Sequence, residues 1–412
     1  MKSRNIDRRL ITILLIVFVQ MVGSSMIFPI LPLYAQNEFS LSPQVITLLG
    51  TAFFAAQFLA GPYMGRLSDR YGRVPILILS QIGTALSFII LGFAPNAAFL
   101  FLARVLDGIT GGNIIVAQAY ITDITPPEKR TESLGYIYAT FGIGFIFGPV
   151  FGGALAAAFG PRMPYLIAAV IAFATVLLTR ATLNETLSSE QREANRNFGK
   201  GGMNLREMFS NRLFFLVMIV GFVSQFAFGM LQSTFSLYAE AVLFAGSTQQ
   251  TLNIGVGLLF AIIGIGQIIT QVVIIPRLVT RYDDTYLVVI GTLIRSIGLL
   301  TYAIVTSPWL GAFGSLFFSI GMGTMGPSLQ SLSIKTVADE LRGGALGVYQ
   351  SVTNLAIIIS SAIAGVIFAI SPTMPFWVGL VLSLLSLIPI FILIQESPTI
   401  SSQEKTVSAS AK

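Results

Sequence analysis

The chain contains no cysteine and no histidine. It therefore has no disulfide, no thiolate nucleophile, no imidazole proton relay and no metal site built from cysteine or histidine. Charged residues are also scarce, at 10% of 412 residues, while hydrophobic residues make up 54%. Soluble domains contain about a quarter charged residues, so this composition excludes a soluble globular protein.

Long apolar runs occupy most of the chain. Each has at least about 18 residues, enough for a helix to cross roughly 30 Å of hydrocarbon, and the runs are continuous rather than alternating. We therefore predict an all-α membrane protein with twelve transmembrane helices in two pseudo-symmetric six-helix bundles. The predicted spans are residues 10–34, 43–64, 75–94, 98–121, 132–159, 163–180, 213–238, 251–275, 285–306, 309–334, 344–370 and 374–395.

A polar, charged segment separates the sixth span from the seventh. It predicts a cytoplasmic central loop at residues 184–212, between an N-terminal bundle (1–183) and a C-terminal bundle (213–398). The last residues, 399–412, are polar and predict a flexible cytoplasmic tail.

Lysine and arginine are distributed unevenly over this topology. With the N-terminus inside, nearly all of the 24 fall in cytoplasmic segments, and Arg162 alone falls in an outer loop. This asymmetry predicts a multi-pass protein of the plasma (bacterial inner) membrane with both termini in the cytoplasm. The net charge of +6 then needs no nucleic-acid partner. The partners we expect are the lipid bilayer, a small-molecule substrate and protons, and we expect a monomer.

Three short segments recur in the second half of the chain. EKRTESLG is echoed by ELRGGALG, RLSDRY by RLVTRY, and PLYAQ by SLYAE, at offsets of similar size. The matching positions include polar residues and glycine, so chance similarity between apolar segments is a poor explanation. Two repeats of six spans predict a substrate site between them, near the middle of the membrane.

GRLSDRYGRVP, which begins at Gly65, falls in the predicted cytoplasmic loop between spans two and three. Gly72 is placed for a tight turn, Arg70 and Arg73 face the inner leaflet, and Asp69 can meet a helix N-terminus. In identity and spacing these residues resemble the signature loop of the major facilitator superfamily. The resemblance implies the major facilitator fold for nearly the whole chain, with this loop taking part in gating.

GIGFIFGPVFGG occupies the fifth predicted span. Gly144, Gly148 and Gly152 recur every four residues on one helix face and permit close helix contact, and Pro149 can kink the span. The string, which ends at Gly153, resembles the antiporter signature of the superfamily's drug:proton antiporters. That resemblance implies a span that seals the outer side while substrate is exchanged inside. Tight helix packing alone explains the same glycines.

Within that branch the sequence is most similar to tetracycline-type efflux pumps. The similarity lies in GRLSDRYGRVP, DGITGG, ITDIT, GPSLQSLSIKT and GALGVYQSVTN. Such pumps carry acidic residues in spans one, three and nine, where this chain has Gln20, Ser87 and Arg295. Because an arginine would repel a cationic metal–tetracycline chelate, we expect a different substrate.

Asp107 is the one acid of 18 that falls deep within a predicted span. A charge at a helix centre costs about 2.5–3.5 kcal/mol, so a partner is expected. Arg104 shares its helix face, and Arg295 could meet it if both face a central cleft. In one interpretation the charges form a switch, in which moving an arginine away lets Asp107 take a proton. In the other, Arg104 and Asp107 are a fixed pair that orients span four.

The cavity wall is predicted from polar and aromatic side chains on the spans that line it in this superfamily. Two arginines against one aspartate favour an anionic or neutral amphiphilic substrate over a dicationic dye. For each phenylalanine, packing in the core or against lipid is the alternative. The predicted wall residues are Gln20, Phe28, Phe53, Asn113, Phe226, Gln232, Phe235 and Asn354.

The predicted function is export of small amphipathic compounds, of the drug or multidrug efflux type, by proton antiport with alternating access. The alternative is an exporter, exchanger or uniporter of an anionic or neutral metabolite without proton coupling through Asp107. A membrane enzyme is disfavoured because one buried acid, without histidine or cysteine, assembles no nucleophile–base pair. No nucleotide-binding loop, cofactor or metal is expected. A non-transporting sensor would usually carry an added soluble domain.

Overall fold

A computed structural model describes residues 8–111, 113–126, 130–188, 192, 210–337 and 342–395. All regular structure in these residues is helical. Most of the predicted central loop and the whole predicted tail lie outside the described residues.

The first half of the chain forms seven helices within the described ranges. They are α1 (Arg8–Phe39), α2 (Pro43–Tyr71), α3 (Arg73–Gly92), α4 (Ala97–Thr110), α5 (Asn113–Ile124), α6 (Arg130–Phe159) and α7 (Met163–Thr182).

The second half contains two helices that change their winding. The first is α8 (Arg212–Tyr238), which continues as a π-helical turn at Ala239–Leu243. The second is α9 (Gln249–Ile269), which runs through a π-helical turn at Thr270–Ile274 into α10 (Ile275–Leu278). Then follow α11 (Asp284–Ile304), α12 (Pro308–Lys335), α13 (Arg342–Ile370) and α14 (Met374–Leu385). After a turn at Ser386, residues 387–395 are helical again and complete the last apolar span.

Eleven segments of the described chain are helical, long and apolar enough to cross a membrane. The tenth predicted span coincides with α12, which has 28 residues but is not one of these eleven segments. Its many glycines and serines lower its mean hydropathy. Every predicted span thus coincides with a helix, and the prediction of an all-α, multi-pass membrane fold is confirmed. Several helices continue past their predicted ends, since α1 reaches Phe39 and α2 reaches Tyr71.

The fourth predicted span lies within one apolar helical stretch long enough to cross a membrane, Ala97–Ile124, which contains α4 and α5. Glycine is among the weakest helix formers, and here the sequence DGITGG supplies it just after a polar site. The amide of Gly111 donates to the carbonyl of Asp107 at 2.6 Å, and Gln57 Nε2 donates to the Gly111 carbonyl at 3.4 Å. Gly111 thus keeps a right-handed helical backbone and a helical hydrogen bond, and residue 112, between α4 and α5, lies outside the described residues.

Backbone contacts group the chain into two compact units. The first comprises Met1–Lys200 with Phe235–Gly264, and the second comprises Gly201–Thr234 with Ile265–Lys412. Each has its own apolar core. That of the first unit includes Ile13, Leu77, Tyr120 and Ile137, and that of the second includes Phe214, Val217, Val288, Met325 and Ile390. The predicted bundle boundaries at residues 184–212 stay a prediction.

Candidate functional site

The Arg104–Asp107 ion pair lies in α4 and is almost completely buried. Asn96 caps the start of this helix, where its side chain accepts hydrogen bonds from the amides of Ala98 and Phe99. Arg104 Nη1 donates to Asp107 Oδ2 at 2.9 Å, and each side chain is only 4% exposed. The pairing expected from the spacing is therefore present, and the pair is shielded from its surroundings. Its role in transport stays a prediction.

Two neighbouring helices complete the surroundings of this pair. From α2, the ring of Phe53 lies 4.1 Å from the guanidinium carbon of Arg104, which is a cation–π contact. From α3, Thr84 and Ser87 interact with the Asp107 carboxylate, and both are buried. The charges are thus held between an aromatic face and hydroxyl groups, as a buried ion pair requires. Phe53 is a partner of Arg104 here, rather than only a wall residue.

Arg295 lies in α11 and is fully buried, with 0% exposure. Its Nη1 donates to the carbonyl of Ser224 at 3.0 Å and to Ser224 Oγ at 2.7 Å, and its Nη2 donates to Ser383 Oγ at 3.0 Å. These partners lie on α8 and on α14. They are all uncharged, and no carboxylate pairs with Arg295 within the described residues.

A meeting of Arg295 with Asp107 across a cleft stays a prediction. Arg295 is bound by serines of its own unit, and Asp107 is bound by Arg104 of its own unit. The spacing along one helix predicted the local pair. The partners of Arg295 are 71 and 88 residues away in sequence, and serine side chains gave no signal that they bind a cation.

The signature loop is a compact network around Arg73. Its guanidinium binds Asp69 at 2.6 Å and Asp123 at 3.0 Å, and also donates to Ser68 Oγ at 2.7 Å. Gly72 forms the expected tight turn with a φ of +108°. The loop thereby joins the end of α2 to the start of α3 and the end of α5. Gly65, on α2, lies near Ile115, and Arg70 lies over the ring of Tyr71.

Glu185 is a member of this network that the sequence analysis missed. It follows α7, yet its carboxylate accepts from the amide of Arg73 at 3.0 Å and from that of Val74 at 3.1 Å. These are free amides at the start of α3, where a negative charge is stabilising. A Cβ at Gly72 would overlap this carboxylate. Asp69 was expected to meet a helix N-terminus, and at the start of α3 that place is taken by Glu185.

The glycine string of α6 packs against α1. A Cβ at Gly144 would lie 2.6 Å from the Cβ of Met21, and a Cβ at Gly148 would overlap the Ser25 side chain. Ser25 Oγ donates to the carbonyl of Gly144 at 2.9 Å. Gly152 faces the same helix. The close contact expected from the four-residue spacing is present, and helix α1 is its partner.

The opposite side of the string packs against α9. A Cβ at Gly153 would lie 2.5 Å from the carbonyl oxygen of Asn253, and a Cβ at Gly257 would lie 2.6 Å from the carbonyl oxygen of Pro149. Small residues therefore allow backbone contact on two faces of α6. An added methyl group on either face would force a neighbouring helix away.

The predicted wall residues of the first unit differ in their burial. Gln20 is half-buried and lines a small cavity with Met21, Leu77 and Ala117 among others. The ring centroid of Phe28 lies 5.8 Å from that of Phe145, which lies 6.3 Å from that of Phe260. The ring of Phe260 in turn lies 5.1 Å from that of Phe235. Phe235 is 0% exposed and is a core residue in this structure. The side chain of Asn113 lies outside the described residues.

The predicted wall residues of the second unit are partly engaged. Phe226 and Gln232 are 9% and 8% exposed, and the Gln232 carbonyl oxygen has no hydrogen-bond partner among the described residues. Asn354 accepts a hydrogen bond from Gln350 Nε2 at 3.1 Å. Their role in binding substrate stays a prediction.

Two of the echoed segments, PLYAQ and SLYAE, meet in the first unit. Gln36 Nε2 donates to Glu240 Oε2 at 3.1 Å, and Asn37 Nδ2 donates to Glu240 Oε1 at 3.4 Å. Glu240 lies in the π-helical turn that follows α8. Close by is a cavity of about 320 Å³ whose lining includes Ile30, Tyr34, Asn37, Glu38, Gln249 and Asn253.

Comparison with known proteins extends these observations. The model of the Major Facilitator Superfamily matches residues 13–255 and 242–411. The tetracycline resistance protein, class H, of Pasteurella multocida is 29% identical over 91% of this chain and 92% of its own length. Multidrug resistance protein 2 of Bacillus subtilis (strain 168) is 27% identical over 91% of this chain and 92% of its own length.

Solved structures show the same fold. The human organic anion transporter MFSD10 (TETRAN) matches with a TM-score of 0.65 and 22% identity, over 94% of this chain and 99% of that one. An inward-facing, occupied bacterial homologue of the human lysosomal transporter Spinster matches with a TM-score of 0.71 and 17% identity, over 94% and 96%. These neighbours are transporters rather than enzymes. With its helices, its signature loop and the family model matched along almost its whole length, the chain belongs to the Major Facilitator Superfamily.

Proposed function

We propose that this protein exports small amphipathic organic compounds across the plasma membrane by proton antiport, with alternating access. Its tetracycline and multidrug resistance relatives support the direction of transport and the class of compound. The observation that carries the proposal is Asp107, which is the one buried carboxylate among the described residues. A buried carboxylate beside a permanent cation is a group that can carry a proton.

The two members of the pair respond differently to protons. Arg104 keeps its charge at every physiological pH, whereas Asp107 can become neutral. Protonation removes the charge that holds the 2.9 Å contact with Arg104, so the guanidinium is released. In the proposed cycle this happens in the access state open to the outside, and the proton leaves in the state open to the cytoplasm. Both termini and the central loop are cytoplasmic in this proposal, and the chain works as a monomer.

The charge balance bears on the substrate. Arg295 is bound only by neutral groups among the described residues, so its positive charge is not cancelled locally. This favours an anionic or neutral amphiphile. It also supports the second candidate function, exchange or uniport of an anionic or neutral metabolite in which Arg104 and Asp107 form a fixed pair.

The test is transport by purified protein in proteoliposomes, with tetracycline, ethidium and fluorescein as probes. We expect Asp107→Asn to abolish accumulation driven by a pH gradient while leaving exchange at equal pH. Glu38→Gln is the matched control, because Glu38 also pairs with an arginine but is 44% exposed. It should behave as wild type.

Asp107→Asn leaves Arg104 buried without a counter-ion, which can cost about 3–5 kcal/mol. The variant Arg104→Gln/Asp107→Asn removes both charges and should fold while still lacking gradient-driven transport. If either folded variant keeps gradient-driven transport, Asp107 is not the proton carrier, and the second candidate function is favoured.

A further inference from the structure

Three buried polar atoms on α4, α7 and α1 have no hydrogen-bond partner of good geometry among the described residues. They are Arg104 Nε and the hydroxyl oxygens of Tyr165 and Tyr34. Buried polar atoms in proteins are nearly always paired. The lack of partners for these three atoms among the described residues therefore needs an explanation.

The three residues follow one another in space. Tyr165, on α7, interacts electrostatically with Arg104 and is 1% exposed. Its ring lies 5.6 Å from that of Tyr34, on α1, which is also 1% exposed. Tyr34 in turn lines the 320 Å³ cavity, and its hydroxyl interacts with the guanidinium of Arg162, although no hydrogen bond of good geometry joins the two.

We infer that Tyr165 is the second partner of Arg104. When Asp107 is protonated, the guanidinium leaves the carboxylate and donates to the Tyr165 hydroxyl, which donates in turn to the Tyr34 hydroxyl. The inference rests on the proposed function, in which Asp107 takes up a proton. It makes Tyr165 a positioning residue, since it acts on Asp107 through Arg104.

The chemistry of the groups fits this exchange. A guanidinium has five donors and no acceptor, whereas a tyrosine hydroxyl both accepts and donates. One proton from the medium binds a carboxylate oxygen of Asp107, the Nη1–Oδ2 hydrogen bond breaks, and the new hydrogen bond to Tyr165 forms, with no covalent change in either partner. The released guanidinium of Arg104 then still has a hydrogen-bond acceptor. It is therefore not left as a buried charge without a partner, which would be costly.

The other groups facing Asp107 would not replace Tyr165. Thr84 and Ser87 of α3 interact with the carboxylate itself. Phe53 of α2 offers its ring face, already in contact at 4.1 Å, and no oxygen acceptor. The hydroxyls of Tyr165 and Tyr34 have no hydrogen-bond partner of good geometry among the described residues.

The test is an infrared titration of wild-type and variant protein in lipid nanodiscs, without substrate. The stretch of the protonated Asp107 carboxyl is assigned by its loss in Asp107→Asn. Tyr165→Phe should move the titration midpoint of this band to lower pH by about one unit, because a hydrogen bond to a charged group stabilises the protonated state by roughly tenfold in proton affinity. Thermal stability should not fall, since the hydroxyl is unpaired in this structure.

Tyr302→Phe is the matched control. It also removes a buried tyrosine hydroxyl, one that pairs with Ser315 Oγ at 2.6 Å in the other unit, and the midpoint should stay unchanged. Tyr34→Phe, one contact further from Arg104, should give a smaller shift in the same direction. These two variants keep the inference testable if Tyr165→Phe fails to fold.

A midpoint in Tyr165→Phe that equals or exceeds that of wild type overturns the inference, and so does an equal shift in Tyr302→Phe. In those cases the proposed proton site still stands, because the band itself titrates. If Asp107→Asn removes no titrating band, Asp107 does not take up a proton, and the proposed function fails together with the inference.

Discussion

Replacing Gly148 by alanine should separate α6 from α1. The added Cβ would overlap the Ser25 hydroxyl and would lie 2.7 Å from the carbonyl oxygen of Val22 and 2.9 Å from Ser25 Cβ. The hydroxyl can rotate, but the other two atoms belong to or adjoin the backbone of α1, so the helix itself must move. Overpacking of this kind costs about 1–3 kcal/mol. The better helix propensity of alanine returns up to about 1 kcal/mol.

Gly347→Ala is the matched control. Gly347 also lies inside a long helix, α13, but a Cβ there meets no atom within 4 Å. Gly347→Ala should therefore be stabilised by the better helix propensity of alanine, with no cost from overpacking. The two variants should therefore differ by about 1–3 kcal/mol in the free energy of unfolding, measured by thermal unfolding in lipid nanodiscs. Transport in proteoliposomes should fall in Gly148→Ala only.

The variant Ser25→Gly/Gly148→Ala supplies a second check, because it removes two of the three close atoms. We expect it to regain part of the lost stability and transport. The reasoning is refuted if Gly148→Ala is as stable and as active as Gly347→Ala, since the α1–α6 contact would then tolerate a methyl group at its closest point.

Three other variants test separate parts of the structure. Arg295→Met should reduce fluorescein transport several-fold and strengthen ethidium binding, measured by fluorescence; an intact Arg295 that raises ethidium affinity would contradict the charge balance. Glu185→Gln should destabilise the protein by about 0.3–1 kcal/mol, the usual worth of a carboxylate at a helix N-terminus, and thermal unfolding would show no change if Glu185 were not bound there. In a chain without native cysteine, Gln36→Cys/Glu240→Cys joined by a short bismaleimide should block transport; unchanged transport would show that this contact does not need to open.

Local features were predictable from the sequence. Apolar runs predicted all the long helices, because a bilayer leaves few alternatives to a helix of about 20 residues. The Arg104–Asp107 pair followed from a spacing of three residues on one helix, and the contact of Gly144, Gly148 and Gly152 followed from small residues on one face. In each case the sequence distance is short and the geometry of the helix determines the result.

Partners distant in sequence were not predictable. Glu185 caps α3 from 112 residues away, and it carries no mark that distinguishes it from other acids of the central loop. Arg295 is predicted to be a buried charge within its span, but its partners Ser224 and Ser383 are 71 and 88 residues away and gave no signal in the sequence. The burial of Phe235 depends on the neighbouring rings of Tyr238 and Phe260, and a single sequence does not report these contacts.

The two parts of span four make different contacts. Its first helix, α4, carries the buried Arg104–Asp107 pair, while Asp123 near the end of α5 binds Arg73 of the signature loop. The same span therefore contacts both networks, and a substitution in either network acts on an element that the other one also holds.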